Sequence, residues 1–238
     1  MDDEYEIQVK RELETWQKKM LQKPRMLSRL GKRVQTKINK WIPEKVHLAI
    51  TKTIKQLIRA VLFGAGLATD RITVPVSLRE KELIIAEKIE SYKKTAAVEG
   101  GITGAGGILL GLADFPILLG IKIKLLFDIA GAYGYDTNDY RERIYLLHIF
   151  ELAFSSDEHR GSVFRKIADW NTQREQLPKD INEFDWRSFQ QEYRDYIDIA
   201  KMAQLVPIIG APVGVIVNYR LIRKLGITAM NAYRMRLL

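Results

Sequence analysis

His148 and Glu151 stand three residues apart, a spacing that puts an imidazole and a carboxylate on one face of a helix. There they could share a metal ion or a proton. A catalytic metal needs about three protein ligands, and di-metal helical bundles repeat a Glu-x-x-His motif twice. This chain has the reverse order once; His47 is remote, and His159 lies beyond a new helix start at Ser155. The pair therefore reads as an ordinary half-buried histidine, and no metal or cofactor is expected.

Other catalytic patterns fail sooner. Gly101, Gly104, Gly106 and Gly107 form a glycine-rich run, but Ile-Leu-Leu follows it. A phosphate-binding loop needs Gly-Lys-Ser/Thr there, the lysine for phosphate and the hydroxyl for magnesium. No serine sits in a Gly-x-Ser-x-Gly elbow, and the chain has no cysteine, so neither nucleophile is on offer. Carboxylate pairs such as Asp157/Glu158 and Asp195/Asp198 fit solvated faces. No catalytic residue is assigned.

Charge is more informative. The 238 residues carry a net +9, and residues 10–59 hold 15 Lys/Arg against 3 Asp/Glu. After Asp198 there is no acid, while Lys201, Arg220, Arg223, Lys224, Arg234 and Arg236 follow; residues 136–198 carry 14 acids and 9 bases. Basic ends suit a polyanion. Nucleic acid is the weaker candidate, because no recognition motif is present and Trp16 and Trp41 fall on apolar helix faces. Anionic lipid is the stronger. The acidic start, Met1-Asp2-Asp3-Glu4, is not that of a cleaved leader.

The elements that must position these groups are helices. Tyr5, Val9, Leu13, Trp16 and Met20 share one helical face, and Leu27, Leu30, Val34, Ile38 and Trp41 repeat the pattern past Pro24. After Pro43, Val46, Ile50, Thr53, Leu57 and Val61 form a third stripe. Lys45, Lys52, Lys55 and Arg59 lie on its other side, the candidate face for an anionic membrane surface. Ser77 to Glu80 and Ser155 to Glu158 read as capping boxes, and Asp139 and Asp185 as further helix starts. No two-residue alternation or hairpin signal predicts strands.

Two segments stand apart. From Gly100 to Ile121 the only ionisable residue is Asp114, and from Met202 to Tyr219 there is none. Gly100, Gly104, Gly107 and Gly111 fall on one helical stripe; Gly210, Gly214 and Asn218 fall on another. Glycine costs ~1 kcal/mol in a helix relative to alanine, so such stripes imply close helix packing. The two segments are expected to pack on each other, with Asp114 and Asn218 as polar partners. Insertion of 100–121 and 202–219 into the bilayer is the rival, opposed by their prolines and by the cost of Asp114 in lipid.

Three stretches resemble the EcsC family: Glu99-Gly-Gly-Ile-Thr-Gly-Ala-Gly-Gly through Asp114-Phe-Pro116, Ile129-Ala-Gly-Ala-Tyr-Gly-Tyr-Asp136, and Pro207 through Asn218. Val34-Gln-Thr-Lys-Ile-Asn39 and Ile42-Pro-Glu-Lys-Val46 are similar to the member after which the family is named. Pro212 departs from the small or branched residue expected there. The resemblance implies a bacterial protein encoded beside the ATPase and permease of an ABC exporter, and it implies no established activity.

The expectation is an all-α bundle built around the glycine-rich helix pair, residues 77–238, with a basic amphipathic helical region at 1–76. Its expected role is a non-enzymatic accessory protein, cytoplasmic and peripheral at the inner face of the membrane. The expected partners are the anionic surface and, by resemblance, ABC transporter subunits. The alternative is an enzyme acting on a lipid or peptide at that surface.

Overall fold

Val9 and Leu13 bury themselves completely while Trp16 and Met20 pack against the core, as the stripe of the first helix requires. That helix, α1 (Asp2–Leu21), opens the computed structural model, which describes residues 2–22, 44–64, 67, 69, 71–73, 76–104, 107–197 and 210–238. The stripe from Leu27 to Trp41 lies outside the described residues.

The other elements are α2 (Glu44–Phe63), α3 (Leu78–Gly104), α4 (Gly107–Tyr133), α5 (Tyr140–Phe154), α6 (Arg160–Ala168), α7 (Trp170–Gln176), a 3-10 turn (Ile181–Glu183), α8 (Trp186–Tyr196) and α9 (Gly210–Leu237). The fold is all-α; an isolated bridge between Ser155 and Ile197 is the extended pairing among the described residues. Three long helices form its axis. Arg234 meets Glu82 near one end of the α3–α9 pair and Tyr219 meets Lys93 towards the other, so α9 runs antiparallel to α3. Tyr133 reaches Glu82, so α4 is antiparallel to α3, and Lys122 reaches Asn218, so α4 is parallel to α9. Around them α1 packs on α3, α6 and α9, while α2 packs on α4, α5 and α8.

Local chemistry sets the helix boundaries. The Ser77 N–H donates to Glu80 Oε2 at 2.8 Å and the Glu80 N–H to Ser77 Oγ at 3.3 Å, the reciprocal bonds of a capping box. Asp139 and Asp185 accept from the N–H groups of Arg141 and Ser188. α4 ends at Gly134, whose φ of +94° only glycine adopts freely. At the second expected box, Ser155 Oγ donates back to the Leu152 carbonyl, and Ser156 Oγ accepts from the His159 N–H ahead of α6. Ser155 is also bridged to Ile197, and the N-cap of α6 is His159.

The segment read as one helix from Gly100 is divided. Gly100 and Gly104 close α3, while Gly107 and Gly111 open α4. The surroundings of these glycines, of Gly210 and Gly214, and the side chain of Asp114 lie outside the described residues. The stripe on α9 does continue into described structure. Asn218, Ile222 and Gly226 are all buried, and a Cβ at Gly226 would lie 2.6 Å from Ile89 Cδ1 of α3. Gly226 is a close-approach position of this helix crossing.

Candidate functional site

The His148–Glu151 pair is real but sealed. Nδ1 of His148 lies 3.0 Å from Glu151 Oε2, and the two residues are 6% and 1% exposed. Trp170 and Phe189 meet the imidazole edge-on. Glu151 Oε1, Trp170 Nε1 and Tyr193 Oη are buried there without a hydrogen-bond partner, and burial pushes the Tyr193 hydroxyl well above its usual pKa. With almost no surface open to solvent, this cluster offers no approach for an external substrate. Among the described residues no group of three or more His, Cys, Asp or Glu could hold a metal ion.

The basic face of α2 is positioned by its opposite side. Thr53, Ile54, Leu57, Ile58, Val61 and Leu62 are buried in the core, and Lys52, Lys55 and Arg59 stand exposed. The Lys45 side chain lies outside the described residues. The apolar stripe of α2 is thus committed to the core, while Leu48 and Phe63 towards its two ends are exposed beside its charges.

Not all of the C-terminal basic excess is outward. Arg234 donates through Nε and Nη2 to Glu82 at 2.7 and 2.5 Å, and Arg236 through Nη1 to Glu142 at 2.8 and 2.9 Å. Tyr5 and Tyr133 also donate to Glu82, and Tyr233 to Glu142. Burial, reinforced by Glu82, pushes the Tyr5 hydroxyl up to about 12. Two of the six bases after Asp198 thus serve the core. Arg220, Arg223 and Lys224 remain on the surface.

Asn218 is met by a lysine of α4. Lys122, fully buried, donates to Asn218 Oδ1 at 3.1 Å and to the Leu118 carbonyl at 3.2 Å. Both acceptors are uncharged, and burial lowers its pKa to about 7. Asp128, lower on α4, is different. Burial would raise its pKa, but bonds from Thr69, Tyr92 and Lys124 hold it below the usual carboxylate value.

Lys122–Asn218 and the Lys93 ammonium over the Tyr219 ring mark one level across the three long helices. Beyond it, towards the glycine-rich ends, Val98 of α3 is 62% exposed, Ile117 of α4 54% and Ile216 of α9 52%. At a rise of about 1.5 Å per residue they sit roughly 3–8 Å past that level. Lys94, Arg220 and Arg223 are exposed just below and around it. Glu90, on the same reach of α3, is tied to Lys93. Towards this end of the three helices, among the described residues, exposed apolar side chains therefore lie beyond a level of exposed bases. No helix among the described residues is long and apolar enough to cross a membrane.

Comparison with known proteins points one way. The sequence model of the EcsC protein family matches residues 7–238. Protein EcsC of Bacillus subtilis (strain 168) is 47% identical over 224 residues, covering 94% of this chain and 92% of that protein. Uncharacterized protein YdbA of the same organism is 26% identical over 247 residues, covering 95% and 90%. No solved structure matches the chain.

Proposed function

This chain belongs to the EcsC protein family, and on that footing we propose that it is a non-enzymatic accessory protein that attaches peripherally to an anionic membrane surface. What supports the reading is the exposure of Val98, Ile117 and Ile216 towards one end of the three long helices, with Lys94, Arg220 and Arg223 exposed on the same stretch. Full burial of a Val or Ile side chain is worth roughly 1.5–3 kcal/mol, so half-exposed ones have about half of that still to gain. A base near an anionic surface adds ~1 kcal/mol. The two contributions are of similar size, which suits reversible attachment. The exposed bases of α2 add further charge. An exporter partner, implied by the family resemblance, belongs to the same reading.

Co-sedimentation with vesicles tests it. The full chain should bind phosphatidylglycerol-containing vesicles, release partly in high salt, and bind weakly to neutral phosphatidylcholine. Ile117→Ser/Ile216→Ser should bind several-fold less. Equal binding of the parent to neutral and anionic vesicles would overturn the charge half of the reading, and an unaffected double variant the apolar half.

A further inference from the structure

A groove of about 470 Å³ runs between the end of α1 and the outer face of α9. Its walls combine two chemistries. Trp16, Met20 and Ile227 supply apolar surface, and Lys19, Arg220 and Arg223 supply charge. Asp157 is the acid in the groove, and it is held by Arg160 at 3.0 Å. Arg160 in turn donates to the carbonyls of Met20 and Gln22, so it is spent on fixing the end of α1. Arg220 and Arg223 are different: they are exposed, three residues apart on one helical face, and among the described residues no ion pair ties either to a carboxylate. Arg223 stands on the ridge towards Glu87 and Glu90 without pairing with them.

We propose that this groove binds the phosphate headgroup of an anionic lipid. Two guanidinium groups and an ammonium line one groove, and guanidinium forks recognise a phosphate by paired N–H donors. The apolar surface of Trp16, Met20 and Ile227 accepts the first carbons beside that phosphate. Arg220 follows Tyr219 directly, so the groove opens one residue below the level at which the apolar end begins. A headgroup reached there lies at the depth that end would give it. The lipid identity of the ligand rests on the membrane reading above; the phosphate site does not.

The test uses the full chain and dihexanoyl phosphatidic acid kept below its micelle concentration, followed by calorimetry. Saturable one-to-one binding is expected, weakened at least tenfold in Arg220→Gln/Arg223→Gln. An equal loss of charge elsewhere on α1, Lys10→Gln/Lys18→Gln, should leave it within about twofold. Glycerol 3-phosphate should bind at least tenfold more weakly than the lipid. Glycerol phosphate binding as tightly as the lipid would overturn the lipid assignment. Absence of saturable binding, or equal weakening by both double variants, would overturn the site. Binding of the monomeric lipid without vesicle binding would separate this site from the membrane reading, leaving the groove standing and the attachment refuted.

Discussion

Glu82 of α3 and Arg234 of α9, 152 residues apart in sequence, face each other side-on in the core at 2.5 and 2.7 Å. Glu82 also accepts from Tyr5 and Tyr133, and Arg234 reaches Glu12 at 3.2 Å, so one ion pair fastens α1, α3, α4 and α9 at a single level. Burial would lower the pKa of Arg234, but Glu82 more than offsets it and holds the guanidinium charged. Removing one partner leaves a buried charge uncompensated, which costs roughly 3–5 kcal/mol. Glu82→Gln and Arg234→Met should each destabilise by that order. The double variant Glu82→Leu/Arg234→Met should lose clearly less than the two single losses together. Urea melts of the three variants check this, and strict additivity would show that the pair is not coupled.

A paired glycine experiment separates packing from backbone entropy. Gly226 has Ile89 within 2.6 Å of where a Cβ would sit, whereas a Cβ on Gly120 would meet nothing within 4 Å. Gly226→Ala should destabilise by ~1–3 kcal/mol through overpacking. Gly120→Ala, in the open part of α4, should stabilise by ~0.4–1 kcal/mol by restricting the unfolded chain. Thermal melts should shift in opposite directions.

Lys122 predicts a pH dependence. Its pKa falls from the usual 10.5 to about 7 in the fold, so between those values the unfolded chain binds more protons. Stability from this group therefore rises as pH rises above about 7; below that the cost of the buried charge is fully present. Lys122→Met should be more stable than the parent at neutral pH and should lose the rise towards about pH 9. Above that range the buried hydroxyls of Tyr133 and Tyr145, whose pKa values burial raises, act in the opposite sense. A parent and variant with parallel stability–pH curves would show that Lys122 is not the source.

Local rules made much of this fold readable. The α1 stripe, the Ser77–Glu80 box and the Asp185 cap each depend on residues within a few turns of one another, and each is present. Distant contacts were not readable in the same way: the bridge of Ser155 to Ile197 has no local signal. The ion pairs of Arg234 and Arg236 carry no periodic signal, because their partners lie 152 and 94 residues away. Net charge alone therefore counted those arginines as outward. Gly226 was within reach, since Gly210, Gly214, Asn218 and Ile222 lead to it at steps of four. The apolar end needed the register of three helices, which no single segment contains.

The face of α2 and the end of the bundle make separable claims on the membrane. Lys52→Gln/Lys55→Gln/Arg59→Gln removes exposed charge from a helix whose apolar stripe is buried, so it should not alter stability by more than about 0.5 kcal/mol. Binding to anionic vesicles should weaken a few-fold and only at low salt, where exposed charges act beyond the ~8 Å screening length of physiological ionic strength. Co-sedimentation across a salt series reads this out.

The absence of cysteine allows a single labelled position to decide where the protein touches lipid. Ile216→Cys and, separately, Lys52→Cys can each carry an environment-sensitive fluorophore, with a water-soluble quencher added before and after anionic vesicles. Attachment through the apolar end predicts that the probe at 216 shifts to the blue and loses most of its quenching on binding, while the probe at 52 stays open to the quencher. A probe at 216 that remains fully quenched while the protein is vesicle-bound would contradict the account.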